Sequence, residues 1–312
     1  MKTKYLLTRL MTITILTTFV VTGCKKETAE TLTPQEEQEA ATTINESQTE
    51  SELVFNDVFD NVMGVNTEVG LGGTGIFGRL TTVPENAAGR EMDTDSIHCW
   101  TITKTHLNPP QAFPLQITLD FGAGCKGPDG RVRSGKIVIV YTGRLINPGT
   151  SATVEFVNFK INKIAVEGIM KISNTTGSTP QSNQKQFTVT VRNAKLTKHN
   201  GNSTEWKSDR VITQLEGNGT LLPFDDILRI EGSAEGKVKR GNRVFVWTAE
   251  ITEPLIKKFT CRWISKGVIK TRRSHLSTSS QWVAVLDFGP GSCDSLATLT
   301  INGVSHQIQL PH

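Results

Sequence analysis

No stretch of this 312-residue chain supplies the roughly 20 consecutive apolar residues that a transmembrane helix needs, so a helical span is not expected. The chain also lacks a C-x-x-C pair and any Cys/His cluster, which removes the usual zinc frameworks. No G-x-S-x-G or H-E-x-x-H occurs, so the common serine-hydrolase and zinc-protease signatures are missing. One glycine-rich stretch, GLGGTGIFGR at 70–79, lacks the lysine, the preceding strand and the following helix that a phosphate loop requires, and reads as a connector. There is no alternation of strands with helical segments, which excludes doubly wound α/β folds. Neither a cofactor nor a metal centre is expected.

What is present begins with the first 23 residues. Lys2, Lys4 and Arg9 precede the apolar run LMTITILTTFVV at 10–21, the pattern of a secretory signal. The run ends in VTGC, which resembles the lipobox of bacterial lipoproteins. That resemblance implies cleavage between Gly23 and Cys24, with lipid on Cys24. Several acyl chains together hold a membrane where one does so only marginally. Lys25 follows Cys24, without the aspartate that retains such proteins in an inner membrane, so the expected location is the cell outer membrane, on either side of it.

Residues 24–50 are polar and acidic and read as a tether, although TPQE at 33–36 has the form of a capping box with proline at the first helical position. In SELVFNDVFDNVM at 51–63, Val54, Phe55, Val58, Phe59 and Val62 form a stripe at helical spacing. A short amphipathic helix packed on the body is expected there. Charge is divided unevenly: residues 24–60 hold two lysines and ten acids, whereas 61–312 hold 29 basic and 20 acidic residues. An acidic arm of about −8 therefore precedes a body of about +9, and the arm has the charge to fold back on the body.

Beyond residue 95 the chain consists of alternating runs broken by turn residues, the signature of antiparallel strands. SATVEFVNFKI, KIAVEGIMKIS, KQFTVTVRNAKLTK, STEWKSDRVITQLEG, DILRIEGSAEGKVKR and NRVFVWTAEIT follow one another at hairpin spacing, with HNGN at 199–202 and RGN at 240–242 as turns. The expected fold is all-β: a large antiparallel meander of long strands, as a sandwich, roll or open barrel, in one domain over 64–312. LDFGAGC at 119–125 returns as LDFGPGSC at 286–293, so related corners span 99–143 and 261–303. Asp120 and Asp287 are expected to accept backbone hydrogen bonds there, with glycines supplying positive φ. With Cys24 committed to lipid, the corner repeat pairs Cys99 with Cys125 and Cys261 with Cys293.

The lipobox, the acidic arm, FNDVFDNVMG and ITLDFGAGCKGPDGRVRSGKIVIVYTGRL together resemble a group of lipoproteins from Bacteroidetes-type bacteria. The resemblance covers most of the chain and supports export, anchoring and a β-rich body. It carries no activity and no catalytic residue.

Candidate sites are few. Asp93, Asp95, His98 and Asp129 are oxygen-rich enough to suggest Ca²⁺, but their spacing matches no calcium loop. Asp225 and Asp226 offer half of a hydrolase pair without an identifiable partner. The strongest signal is electrostatic, with eleven Lys/Arg against two acids over 237–273. Alternation in KKFTCRWISK places Phe259, Cys261 and Trp263 on one face. Lys258, Arg262 and Lys266 fall on the other, continued by Lys270 and Arg272, as a face for an anionic glycan or lipopolysaccharide. Nucleic acid is not expected, because the aromatics that would stack on bases point inward. A binding, adhesion or structural module without catalysis is the leading functional expectation. A lipid or glycan carrier or envelope-assembly factor using an open interior is the alternative, and an exported hydrolase the second.

Overall fold

A computed structural model of the chain describes residues 33–64, 99–127, 129–177, 184–217, 225–274 and 284–310. One helix, α1 (Pro34–Gly64), is followed by β1 (Thr101–His106), β2 (Leu115–Asp120), β3 (Cys125–Lys126), β4 (Val132–Tyr141), β5 (Ser151–Ile161) and β6 (Ile164–Asn174). Then come β7 (Gln186–Thr197), β8 (Ser203–Glu216), β9 (Ile227–Arg240), β10 (Arg243–Lys258), β11 (Lys266–Arg273), β12 (Ala284–Pro290), β13 (Leu296–Ile301) and β14 (Val304–Gln309). All belong to one antiparallel sheet in which each strand lies beside its chain neighbour; β3 pairs beside β2 on the edge of β4. The all-β meander is therefore the fold. It stays open, because β1 and β14 are its two ends and are exposed along their whole length or nearly so.

Five of the alternating runs match their strands to within a residue at each end. At the C-terminal end of the meander, Asn302 and Gly303 take φ of 49° and 85° and form the tight two-residue turn that joins β13 to β14. Thr142-Gly143 does not make such a turn: residues 142–150 form a longer loop, tied by the Thr142 amide donating to Ser151 O at 2.9 Å.

The arrangement of the helix differs from the expected tether and short amphipathic segment. α1 starts sixteen residues before Glu50, and the capping box does close: the Glu36 amide donates to Thr33 Oγ1 at 3.3 Å, while the Glu36 carboxylate accepts from the Thr33 amide at 3.0 Å. From Ser47 to Gly64 every residue is buried except Glu50 and Asn56, which are half-buried, so the helix is enclosed on all sides. Its partners range from Tyr141 on β4 to Arg273 on β11. The sheet thus curls around the helix: the stretch 51–63, read as a short helix packed on the body, lies at the centre of the core, and the helix begins within the segment read as tether.

Long strands can curl this far because they are interrupted. Register shifts occur in most of the ladders from β4 to β12, including between Ser134 and Lys136 and between Glu167 and Ile169. A shift that places one extra residue on a strand is a bulge, which bends the strand and sharpens its twist. Gly135 and Gly168 sit at two such shifts with φ of 76° and 123°; a Cβ at Gly135 would lie 2.2 Å from Asn158 O. Only glycine fits that approach.

Apolar contacts join the helix to the sheet as well. Phe55 stacks on Trp206 with ring centroids 5.3 Å apart, and Phe59 meets Phe187 edge-on at 6.4 Å. α1 is nevertheless too polar to be held by burial alone. Asp57 is buried with Arg131 and Arg133, each at 2.6 Å. Removing one partner of a buried ion pair leaves an uncompensated charge, so Asp57→Ala is expected to lower unfolding free energy by about 3–5 kcal/mol. Glu39→Ala, at the exposed Arg243 pair, should change it by less than about 1 kcal/mol. Urea unfolding of both variants measures the difference, and similar losses would show that the buried pairs do not hold the helix.

Candidate functional site

The interior contact between α1 and the sheet is the most organised polar region of the protein. α1 carries eight acidic residues and no basic one, and each acid meets a sheet cation. At the exposed N-terminal end Glu36 and Glu39 face Arg243, Glu37 faces Arg273 at 3.0 Å, and Glu46 faces Arg240 at 2.5 Å. Farther in, Glu50 pairs with Lys198 at 2.8 Å and Glu52 with Arg210. At the buried C-terminal end Asp57 holds Arg131 and Arg133, and Asp60 holds Lys257 at 2.7 Å. The last turn has no cation of its own, so these sheet residues also face the negative end of the helix dipole.

Neutral groups complete the network. Gln48 Oε1 accepts from Trp206 Nε1 at 3.0 Å and from Trp247 Nε1 at 3.1 Å, and Gln48 Nε2 donates to Glu52 at 3.0 Å. Two indole donors and one carboxylate acceptor fix the orientation of this amide. Trp247 can lie across the inner face because its neighbour is Gly236, where a Cβ would fall 2.1 Å from the indole ring. The Tyr141 hydroxyl donates to Val62 O at 2.9 Å, and burial raises its pKa.

The buried carboxylates are not equivalent. Burial alone would raise Asp57, but the Arg133 and Arg131 guanidiniums outweigh it and hold the carboxyl below its ordinary range. Burial pushes Asp60 up to about 6, against the pull of Lys257. Asp226, just before β9, is also pushed up to about 6 by burial, opposed by Gln214 Nε2, which donates to its Oδ1 at 2.6 Å. Asp225 is exposed beside it. The two do not form a carboxylate pair facing across a cleft.

The expected basic face is redistributed. β10 ends at Lys258, and residues 259–265 form a turn instead of continuing a strand, although Phe259 and Cys261 are buried as anticipated. Lys258 and Lys266 are exposed on the outer surface, and Lys270 lies opposite Glu250 on β10. Arg272 lies opposite Thr248 on the same strand. Arg262 leaves this row. Its guanidinium lies 5.5 Å from the Trp263 ring, and burial and the neighbouring Arg131 lower its pKa, with Asp129 opposing. Asp129 itself is occupied by Arg133 at 2.6 Å. Asp93, Asp95, His98 and Cys24 lie outside the described residues. Among the described residues no group of three His, Cys, Asp or Glu is placed to hold a metal ion.

Both disulfides, Cys99–Cys125 and Cys261–Cys293, are formed, closing loops with sequence separations of 26 and 32 residues. Loops of that length contribute on the order of 3–4 kcal/mol in the chain-entropy description. The two corners share their hydrogen bonds: Asp120 Oδ1 accepts from the Gly122 amide at 2.9 Å, and Asp287 Oδ1 from the Gly289 amide at 2.8 Å. Gly122 and Gly289 both have positive φ. The repeated motif is thus a structural corner in both places.

Comparison with family models, with curated proteins and with solved structures finds no match.

The shifted carboxylates set the dependence of stability on pH. Asp60 and Asp226 bind a proton more tightly in the folded chain than in the unfolded one, so their contribution is full below about pH 4 and is lost as pH rises through about 6. Asp57 does the opposite, stabilising above the ordinary carboxylate range and failing when acid protonates it. Calorimetric scans should show the unfolding midpoint rising between pH 7.5 and 5 and falling steeply below 4. A midpoint that falls steadily from pH 7.5 would contradict this assignment.

Proposed function

We propose that this chain is an exported lipoprotein of the cell envelope, anchored through Cys24, whose β-body is a non-enzymatic binding or structural module acting through its outer surface. The observation that carries the reading is the filled interior. A carrier for lipid or glycan needs an open apolar cavity, and the inner face of this sheet is occupied by α1. A pocket beside the helix, lined by Phe59, Met63, Phe187, Leu228 and Phe259, has a volume of about 10 Å³, far below that of an acyl chain. A hydrolase needs converging carboxylates in a cleft, whereas the buried acids of α1 are engaged with arginine and lysine.

Two further features support the reading. Paired cysteines in both corners suit an oxidising compartment. Nine residues separate Cys24 from Pro34, so extended chain reaches about 30 Å at most and the body would ride close to its membrane. On the outer surface, Lys258, Lys266, Lys270 and Arg272 remain the candidates for contact with lipopolysaccharide or an acidic glycan, with Arg262 at their margin. Eight of the body's cations already neutralise α1, so this contact is expected to be weak and salt-sensitive.

The anchor is tested by fractionation and intact mass: wild-type chain should sediment with membranes carrying an acyl mass on Cys24, and Cys24→Ser should be soluble. A wild-type chain recovered soluble and unmodified rejects the anchoring. For the surface, the triple variant Lys258→Glu, Lys266→Glu, Lys270→Glu should lower binding to lipopolysaccharide at least about tenfold at low salt and flatten its salt dependence. Unchanged binding rejects the basic face.

A further inference from the structure

The cavity at the C-terminal end of α1 contains an arrangement that neither the packing nor the anchoring explains. Its wall is apolar except at two groups, Gln214 on β8 and Asp226. Gln214 is 1% exposed, and its Oε1 has no hydrogen-bond partner. Asp226 is 4% exposed and makes no ion pair among the described residues. Its Oδ1 accepts from Gln214 Nε2 at 2.6 Å, which leaves the Gln214 amide oxygen without a donor beside a space that Asp226 lines together with Phe59, Phe187 and Phe259. Buried acceptors without donors are costly, and a buried carboxylate without a cation more so.

Size and chemistry narrow the occupant. About 10 Å³ holds a single small species. A water molecule supplies two donors but no charge, and Lys185, which acts on Asp226 from a distance, forms no ion pair with it. Calcium and magnesium require six or more oxygen ligands, and the wall offers two groups. An ammonium group supplies donors and positive charge together, and phenyl faces attract it. The protein already builds such a seat next door: Lys257 Nζ lies 2.7 Å from the Asp60 carboxylate and 5.4 Å from the Phe259 ring.

We propose that this cavity is a binding site for an ammonium ion or the head of a primary amine, held by the Asp226 carboxylate and Gln214 Oε1 among the three phenyl rings. The charged groups around it are Lys185 and Asp225, which act on Asp226, and the Asp60–Lys257 pair on α1 and β10. Because Asp226 must be ionised to bind, acidification competes with the ligand. The site depends on the interior alone and is independent of the anchoring and of the basic face.

Thermal unfolding of the mature full chain at pH 7.5 and constant ionic strength tests it, with the chlorides of sodium, ammonium, methylammonium and tetramethylammonium at 100 mM as probes. Ammonium should raise the midpoint by about 2 °C or more over sodium. Tetramethylammonium, too large for the cavity, should not. A shift with ammonium alone identifies the free ion as ligand; an equal shift with methylammonium identifies the amine head. The shift should vanish in Asp226→Asn, persist in Asp225→Asn, and shrink in the wild type at pH 5. Equal midpoints in ammonium and sodium, a matching shift with tetramethylammonium, or a shift retained in Asp226→Asn each overturn the site.

Discussion

A carboxylate withdrawn from water costs several kcal/mol unless a cation and hydrogen-bond donors meet it. That constraint governs how α1 and its sheet fit together. Twelve residues of polar or charged type between Asn45 and Asn61 would be intolerable in an ordinary core, and nine of them are buried here. They are accommodated because Arg133, Arg210 and Lys257, from inward positions of the strands, and Arg131, from the turn before β4, reach the depths where the acids of the helix arrive. Each pair contributes little net stability, since desolvation offsets attraction. What the pairs supply is position: a slide of the helix by one turn would leave charges of both signs unmatched in the interior.

The same constraint explains the inner face of the central strands. In β8 the inward residues run Thr204, Trp206, Ser208, Arg210, Ile212 and Gln214, a mixed series where a sheet packed on another sheet would be aliphatic. Apolar residues dominate farther out, on β2, β4 and β12, where Leu115, Ile117, Ile137, Ile139 and Leu286 are buried. Bulges with glycine at Gly135 and Gly168 bend the long strands around the helix instead of letting them lie flat. Curvature and the polar lining are therefore two aspects of one design, a sheet shaped to receive a particular acidic helix.

Filling the interior also shapes what the protein can do. With the inner face occupied, the surfaces that the described residues offer to a partner are the outer face, the exposed start of α1 and the two end strands β1 and β14. The charge carried by α1 cancels most of the basic excess of the body, so the surface is less cationic than the composition of 61–312 suggests. Disulfides at the two corners tie the segments next to β3 and β12 into this frame.

Strand boundaries, tight turns and cysteine pairing were legible in the sequence because each is local or repeated. Period-two alternation marks a strand wherever one face is buried. Asn302-Gly303 can only turn. The twin LDFG corners reveal which sulfurs lie together. The start of α1 was written as well, in the reciprocal chemistry of Thr33 and Glu36. Where the helix goes was not. The stretch up to Glu50 read as tether because polarity normally means exposure, and the counter-charges of the helix lie 74 to 207 positions away in the chain, as for Asp57 with Arg131 and Glu36 with Arg243. The departure of Arg262 from the basic row and the burial of Asp226 were hidden likewise, since a chain turn and a neighbouring helix decide them. Local pattern determined the pieces; the pairing of distant opposite charges out of water, a property of three-dimensional proximity alone, decided the core.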